Sequence, residues 1–550
     1  MNGSAARVRL STYTGALLIG LLSCTGPSAL AAADAKNELR ERLDGLTKPG
    51  SGVAGVQIAA RRILPRVYEA LDYELAWLDP RSVKQLQVAV ARSWEDGLLP
   101  VDFHDKVVAT ALTAQATRKA QVEHDIILSD AFVRLLYQLY FGKVSPNEID
   151  PNWNFERPVL SSDPVAAIVE ALKTGRVSAI LDKVRLSHPF YVGLKATLQA
   201  HADYAAKGGW GTIPAGPLLK PGDKDARVAA LRARLVVTGE YQGETAIASD
   251  VFDEHLAAAL KRFQNAHGLE DDGVLGPDTL AALNVTPQQR IDQIRVNLER
   301  ARWVLRGIGG DMVLVNIAGY YLHLVLKGER VWRTRVITGR TYHKTPVFTE
   351  TMKTIVFNPD WSLPRSIVKN ETFPRAVRDP TFLDALGYEI RDRNGRTVPA
   401  SSVDWSRYSA GTFPFSVVQK PGPRNALGVV KFLFPNKYSV YLHDTPSRQL
   451  FDKAERTFSH GCIRVEDPLK LAELILHGQP GWNRTKVDAA VASGKMLGVK
   501  LTIPLPVLLL YWTVDPSFDG DARFYDDVYG RDARLLQALN AEFRPWPKGT

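Results

Sequence analysis

Met312-Val-Leu-Val-Asn-Ile317, Tyr320-Tyr-Leu-His-Leu-Val-Leu326 and Val331-Trp-Arg-Thr-Arg-Val-Ile337 are three short runs rich in β-branched and aromatic residues, parted by Gly319 and Gly328. Runs of this length and composition read as strands. Thr354-Ile-Val-Phe357, Val429-Val-Lys-Phe-Leu-Phe434 and Tyr438-Ser-Val-Tyr-Leu-His443 continue the pattern. Regularly spaced short strands with glycine and proline punctuation predict a sandwich or a barrel. Between Pro364 and about Arg424 the pattern breaks into polar, proline-rich and partly helical sequence. An insertion that long inside a β domain is usually functional, often a lid.

Upstream the texture is helical. Arg290 to Arg306 reads as a charged helix, part of a linking segment over 286–310. Before it, residues 218–285 form a compact unit bounded by Pro214-Ala-Gly-Pro-Leu-Leu-Lys-Pro-Gly222. Val228, Leu231 and Leu235 make one helical face closed by Gly239; Phe252, Leu256, Leu260 and Phe263 make a second, stopped by Gly268. Pro277-Asp-Thr-Leu-Ala-Ala-Leu283 begins a third helix with proline where helices tolerate it best. Residues 34–217 read as a mostly helical scaffold. Leu39, Leu43 and Leu46 open a 3.6-type pattern, Ser82 to Ser93 follows an Asp79-Pro80 start signal, and Ala131 to Tyr140 ends near Gly142. His104, His124, His188 and His201 lack partners at metal-ligand spacing and read as surface or core histidines.

A chain of 550 residues exceeds one hydrophobic core and implies two to four domains. With 45% hydrophobic and 23% charged residues, wholesale disorder, collagen and a polytopic membrane protein are excluded. At the N-terminus Arg7 and Arg9 precede the apolar Gly15-Ala-Leu-Leu-Ile-Gly-Leu-Leu22 and the small-residue run Ala29-Leu-Ala-Ala-Ala33. That is a secretory signal over residues 1–33, cleaved after Ala31 or Ala33. Leu21-Leu-Ser-Cys24 also fits a lipoprotein processing box, with Cys24 acylated. Either route takes the chain out of the cytoplasm, to the periplasm or to an outer-membrane anchor through Cys24. Removing the signal takes two arginines and no acid, so a net charge of +10 becomes +8. That balance favours an anionic partner.

Of two cysteines, Cys24 lies in the signal, so the exported chain keeps one thiol and no intramolecular disulfide. That thiol, Cys462, sits in Phe458-Ser-His-Gly-Cys-Ile-Arg-Val465. A sulfur nucleophile needs a base or an electropositive setting. His460 is two residues away, His443 ends a predicted strand, and Arg464 adds positive charge. Gly461 permits a close turn in which consecutive amides face a reacting carbonyl oxygen. The motif supplies nucleophile, base, cation and oxyanion donors.

The spacing from His443 through fifteen residues to Ser459-His-Gly-Cys462 resembles the signature of the L,D-transpeptidases. Agreement extends through Lys344-Thr-Pro346, Asn358-Pro-Asp-Trp-Ser-Leu-Pro364, Pro421-Gly-Pro-Arg-Asn-Ala-Leu-Gly428, Lys431-Phe432, Tyr441-Leu-His-Asp-Thr-Pro446 and Leu450-Phe451. Leu508-Leu-Leu-Tyr-Trp-Thr513 and Asp526-Asp-Val-Tyr-Gly-Arg-Asp532 look like the tail of the long proteobacterial members. Phe263-Gln264, Gly268-Leu269, Asp272-Gly273, Gly276 and Thr279-Leu280 resemble a type 1 peptidoglycan-binding domain. The resemblance implies a multidomain architecture: an α-helical scaffold over 34–217, a small three-helix binding module over 218–285 and a mainly-β catalytic domain over 311–505. It adds a capping insertion over about 365–424 and a C-terminal segment over 506–550 packing on the scaffold or catalytic domain.

The resemblance also implies roles. Cys462 would be the nucleophile, His443 the base, the Asp444 backbone carbonyl the group orienting the imidazole, and the Gly461 and Cys462 amides the oxyanion hole. Arg464, His460, Ser459 and Trp361 would position substrate, Arg464 by binding a stem-peptide carboxylate. The implied reaction is 3→3 cross-linking of peptidoglycan stems: Cys462 attacks the third residue of a donor tetrapeptide, D-Ala leaves, and another stem's side-chain amine takes the acyl group. No metal or organic cofactor is expected, and carbapenems would acylate the same thiol. Stem peptides and glycan are the expected partners, with other wall synthases, no nucleic acid, and a membrane only through Cys24. Water as acceptor would give an L,D-carboxypeptidase, and a lipoprotein lysine an anchoring or detaching enzyme. A non-catalytic wall-binding protein is the alternative outside this chemistry.

Overall fold

A computed structural model describes residues 27–46, 52–113, 117–150, 153–155, 162–243, 248–516 and 522–543. Most of the expected export signal, including Cys24, lies outside the described residues. Helix Pro27–Gly45 is the first described element, and no helix among the described residues is long and apolar enough to cross a membrane.

Four apolar cores organise the chain. The first belongs to the helical region. Pro80–Ala91 starts where Asp79 caps it, its carboxylate accepting the Arg81 N–H at 3.0 Å, and Arg118–Phe141 stops at Gly142. These helices bury Leu39, Leu86, Phe103, Phe132 and Leu135 together. Burying each such side chain contributes roughly 1.5–3 kcal/mol.

The second core is the three-helix module, Arg227–Val237, Glu254–Ala266 and Pro277–Leu283, closed on Leu231, Leu256, Leu260 and Phe263. Gln264 explains much of its sequence motif. The buried amide accepts the Gly273 N–H at 2.8 Å and donates to Asp272, the Val274 carbonyl and the Thr279 hydroxyl at 2.8, 3.0 and 3.1 Å. The Asp272-Gly273 loop is thereby tied to the second and third helices, which is an internal role for these motif residues.

The third and largest core lies under a sheet that closes on itself. From Val430–Leu433 the order runs through Leu442–His443, Ile463–Val465, Glu329–Gly339, Tyr321–Leu326, Met312–Asn316 and Leu497–Leu510 to Val347–Phe357, which pairs back with Val430–Leu433. The predicted strands thus form a barrel, and closure leaves the central strands no open edge. Helices Pro189–Ala206, Pro287–Val304, Pro468–Leu476 and Asp532–Asn540 join this core.

Two boundaries therefore differ from the sequence reading. Pro287–Val304, read as a linker, is opened by a Thr286/Gln289 capping box and buried along most of its length. It hides arginines that pair internally, so its charged texture masked a core helix. The strand Leu497–Leu510 runs through position 506, so the C-terminal segment begins inside the sheet.

The fourth core fills the insertion. Thr397–Val398, Tyr388–Arg391, Ser416–Gln419 and Trp361–Ser362 make a separate four-stranded sheet, with Val368, Phe373, Phe382 and Phe413 packed against it. The insertion carries its own hydrophobic support and starts at Trp361, a few residues before the expected 365.

Candidate active site

Strand pairing decides which side chains meet. Leu442–His443 runs parallel to Ile463–Val465, with Leu442 opposite Ile463 and His443 opposite Arg464. Because side chains alternate along a strand, His443, Tyr441, Arg464 and Cys462 project from one face while Leu442, Ile463 and Val465 enter the core. Lys431 pairs with His443 from the other side and joins the same row. Its ammonium lies 3.8 Å from the centre of the Tyr441 ring.

His443 is buried, and its Nδ1–H donates to the Asp444 carbonyl at 2.5 Å. A carbonyl can only accept, so Nδ1 carries the proton and Nε2 keeps its lone pair. Burial, then the charge of Arg464 and to a lesser degree Lys431, pushes this imidazole down to about 3, against the pull of the Asp444 carbonyl. At neutral pH it is an uncharged acceptor. The Asp444 carboxylate is occupied elsewhere, accepting from the Val429 N–H at 2.9 Å and Arg448 Nη2 at 2.5 Å. Gly428, at φ +59°, allows that placement: a Cβ there would lie 2.2 Å from the carboxylate.

Cys462 is half-buried. Its thiol donates to the Ser439 carbonyl at 3.7 Å, and no hydrogen bond joins it to His443 among the described residues. Burial pushes the thiol up, while the Tyr441 N–H and phenol and the charges of Lys431 and Arg464 oppose the rise. The resting pair is a neutral thiol and a neutral imidazole.

The loop before the sulfur corrects two expectations. Ser459 is buried; its hydroxyl donates to the Cys462 carbonyl at 2.5 Å and accepts the Gly461 N–H at 3.0 Å. The Gly461 amide is therefore engaged and cannot serve an oxyanion without breaking that bond, and Ser459 shapes the loop rather than facing a substrate. The Cys462 N–H has no acceptor among the described residues. Gly461 itself is required by its φ of +113°, and its carbonyl accepts the Thr345 hydroxyl at 2.9 Å.

His460 turns away from the sulfur. Its Nε2 lies 2.5 Å from Glu371 in the capping insertion, and its ring sits 5.2 Å from that of His343. Arg464 forms no ion pair among the described residues, and its buried Nε has no partner. Trp361 lies at the seam between the insertion and the barrel, its buried indole N–H beside the Tyr441 phenol.

Sequence reasoning missed several contributors. Lys431 and Tyr441 were quoted as pattern residues, yet period-two alternation from His443 already placed Tyr441 on its face. Tyr529 comes from the far end of the chain, donating to the Gly339 carbonyl at 2.6 Å and accepting the Thr345 N–H at 3.2 Å, which braces the support of the loop that carries Cys462. No local signal predicts that contact.

The chain matches three family models: a "Scaffold domain" over residues 62–198, a "Putative peptidoglycan binding domain" over 224–283, and an "L,D-transpeptidase catalytic domain" over 310–487. Residues 310–487 are thus similar to an L,D-transpeptidase catalytic domain. Over 243 residues it is 32% identical to a "Putative L,D-transpeptidase" of Haemophilus influenzae, covering 44% of this chain and 48% of the relative. It thus spans about half the length of that curated relative. Two crystal structures of L,D-transpeptidases, from Xylanimonas cellulosilytica and Stackebrandtia nassauensis, are similar at 16% and 14% identity, with TM-scores of 0.17 and 0.21. Both cover 54% of this chain, and 99% and 96% of their own lengths. The His443–Cys462 face lies within the matched transpeptidase domain. No group of three or more His, Cys, Asp or Glu that could hold a metal ion occurs among the described residues.

Proposed function

We propose that this chain is a cysteine-dependent transpeptidase of the exported cell-wall space, joining peptidoglycan stem peptides by 3→3 cross-links. The observation that carries the reading is the neutral His443, its Nδ1–H held by the Asp444 carbonyl, on the strand beside Cys462. Donor binding moves the sulfur off the Ser439 carbonyl toward Nε2. His443 then takes the thiol proton as sulfur attacks the carbonyl carbon of the donor's third residue, meso-diaminopimelate in this reading. A tetrahedral oxyanion forms beside the Cys462 N–H. The C–N bond to D-Ala breaks, its amine leaves with the proton from His443, and a thioester remains. The side-chain amine of a second stem attacks that thioester, gives its proton through His443, and returns the thiol. Because thiol and imidazole are both neutral at rest, proton transfer accompanies attack instead of preceding it. The Arg464 guanidinium, with no carboxylate of its own, is available to a stem carboxylate.

Mass spectrometry of protein and products after incubation with disaccharide-tetrapeptide tests the reading. A thioester on Cys462, loss of D-Ala and a cross-linked dimer are expected, all absent from Cys462→Ala. Tripeptide with no dimer would instead make water the acceptor, and cross-linking by Cys462→Ala would remove the nucleophile assignment.

A further inference from the structure

A groove of about 640 Å³ separates the three-helix module from the barrel. Its walls come from the module (among them His267, Asp278 and Ala282), the barrel and its loops (Ala318–Tyr321, Asp452–Arg456) and the C-terminal segment (Phe524–Asp526). Three exposed carboxylates converge there, one from each part: Asp278, Glu455 and Asp526. Asp278 and Asp526 make no hydrogen bond or ion pair among the described residues, and Glu455 accepts only from its neighbour Thr457. Their proximity registers on Asp526, whose carboxyl is pushed up by partial burial and by the charges of Asp278, Glu455 and Asp527, against Arg290. Arg290 is the strongest single charge opposing that rise, while its own hydrogen bonds go to Gln293 and the Ala282 carbonyl and its guanidinium lies 4.6 Å over the Phe524 ring.

The floor of the groove carries the complementary feature. Tyr320 and Arg456 are each 7% exposed, and the Tyr320 hydroxyl and Arg456 Nε have no hydrogen-bond partner. Leaving such groups dry and unpaired costs about 1–3 kcal/mol each. Tyr320 is also held at φ +57°, a conformation that an L-residue adopts at a cost. Two donors in the floor and three carboxylates above them select a ligand whose end carries an ammonium beside a carboxylate.

We propose that this groove is a second peptide-binding site, holding the zwitterionic end of a stem peptide's diamino acid. The ammonium sits among Asp278, Glu455 and Asp526, and the carboxylate accepts from the Tyr320 O–H and Arg456 Nε–H. This rests on the reading of stem peptides as substrate. The depression lined by Arg340, Tyr342 and Phe458 shares Lys453–Glu455 as a wall and adjoins the loop that carries Cys462, since the Arg340 N–H donates to the Ser459 carbonyl at 3.0 Å. A stem held here would place its strand beside the catalytic face, giving the module a part in presenting substrate as well as in retaining the wall.

Calorimetric titration of full-length Cys462→Ala tests the site. The probe is the tripeptide stem ending in meso-diaminopimelate, compared with the same peptide acetylated on its side-chain amine. Two binding events are expected for the free amine and loss of one on acetylation, a comparison that needs no change to the groove. In Asp278→Asn/Asp526→Asn the same event should weaken at least tenfold, and Tyr320→Phe should weaken it several-fold. Equal binding of both peptides, or an unaltered titration in the double variant, overturns the proposal. D-Ala release from tetrapeptide by the unsubstituted chain is read separately. Its absence alongside the expected titrations removes the reaction and leaves the groove.

Discussion

Helix Pro287–Val304 and the barrel face around Cys462 both bury cations, and they treat them in opposite ways. In the helix three of the four buried arginines find an acid: Arg302 meets Glu299 at 2.7 Å, Arg300 meets Asp532 at 2.6 Å, and Arg295 meets Asp292 at 3.2 Å, while Arg290 donates to Gln293 and the Ala282 carbonyl. Arg302 also donates to the Asp96 carbonyl and the Tyr191 hydroxyl at 2.7 and 2.8 Å. Around Cys462, Arg464 and Lys431 have no ion pair among the described residues, and burial pushes both down. Closed pairs hold a structure together; charges left open beside a thiol are free to meet an anionic ligand. The same residue type therefore signals scaffold in one place and site in the other, and only the partner list tells them apart.

The largest effect expected of that difference is on His443, whose neutrality depends on burial and on Arg464 and Lys431. His443→Ala should slow acylation of Cys462 by about 10²–10⁴-fold. Because burial already raises the Cys462 thiol, alkaline rescue should begin only above the ordinary thiol range, and it should stay incomplete because the variant lacks the acid that protonates D-Ala. His460→Ala should show little alkaline rescue. Acylation rate against pH for both variants is the measurement, and rescue confined to His460→Ala would make that residue the base.

Opening a closed pair should act on the fold. Glu299→Ala leaves Arg302 buried and unpaired, so unfolding free energy in denaturant should drop by about 3–5 kcal/mol. Arg464→Ala should leave stability within about 1 kcal/mol and lower kcat/KM about 10–100-fold, mostly through KM if it holds a stem carboxylate. Its pH profile gives a sign. Removing a positive charge lets His443 keep a proton more easily, so the imidazole rises from about 3 and the acid limb of acylation moves to higher pH. A collapse of stability in Arg464→Ala with an unmoved acid limb would erase the distinction between the two regions.

The β texture was legible because Met312–Asn316, Tyr321–Leu326 and Glu329–Gly339 carry their pattern locally, and the His443…Cys462 spacing because a short parallel strand pair fixes it. The buried helix was not, because charges paired at i and i+3 or across 232 residues to Asp532 look, in sequence, like a solvated face. The engaged Gly461 amide was not either: sequence shows that glycine permits a turn, but which acceptor the amide finds depends on the rotamer of Ser459. The module motif was legible as a pattern and misleading as chemistry, since Gln264 uses Asp272, Gly273 and Thr279 internally.

The smallest effect belongs to a pair that falls between the two regimes. His460 and Glu371 join the loop that carries Cys462 to the capping insertion at 2.5 Å, with side chains 28% and 53% exposed. Exposed pairs of this kind contribute roughly 0.2–1 kcal/mol and weaken with salt. Glu371→Gln preserves a hydrogen-bonding side chain and removes the charge, so it should leave the unfolding transition unchanged within error. The insertion has its own apolar core and does not depend on this contact to fold. What should change is the fraction of time the insertion sits against the loop that carries Cys462. Acylation by a soluble tetrapeptide should shift a few-fold at low ionic strength, and the difference from the unsubstituted chain should vanish in high salt. A change that persists in high salt would mean that Glu371 acts through shape or direct substrate contact, and the clasp would then belong with the closed pairs of the helix.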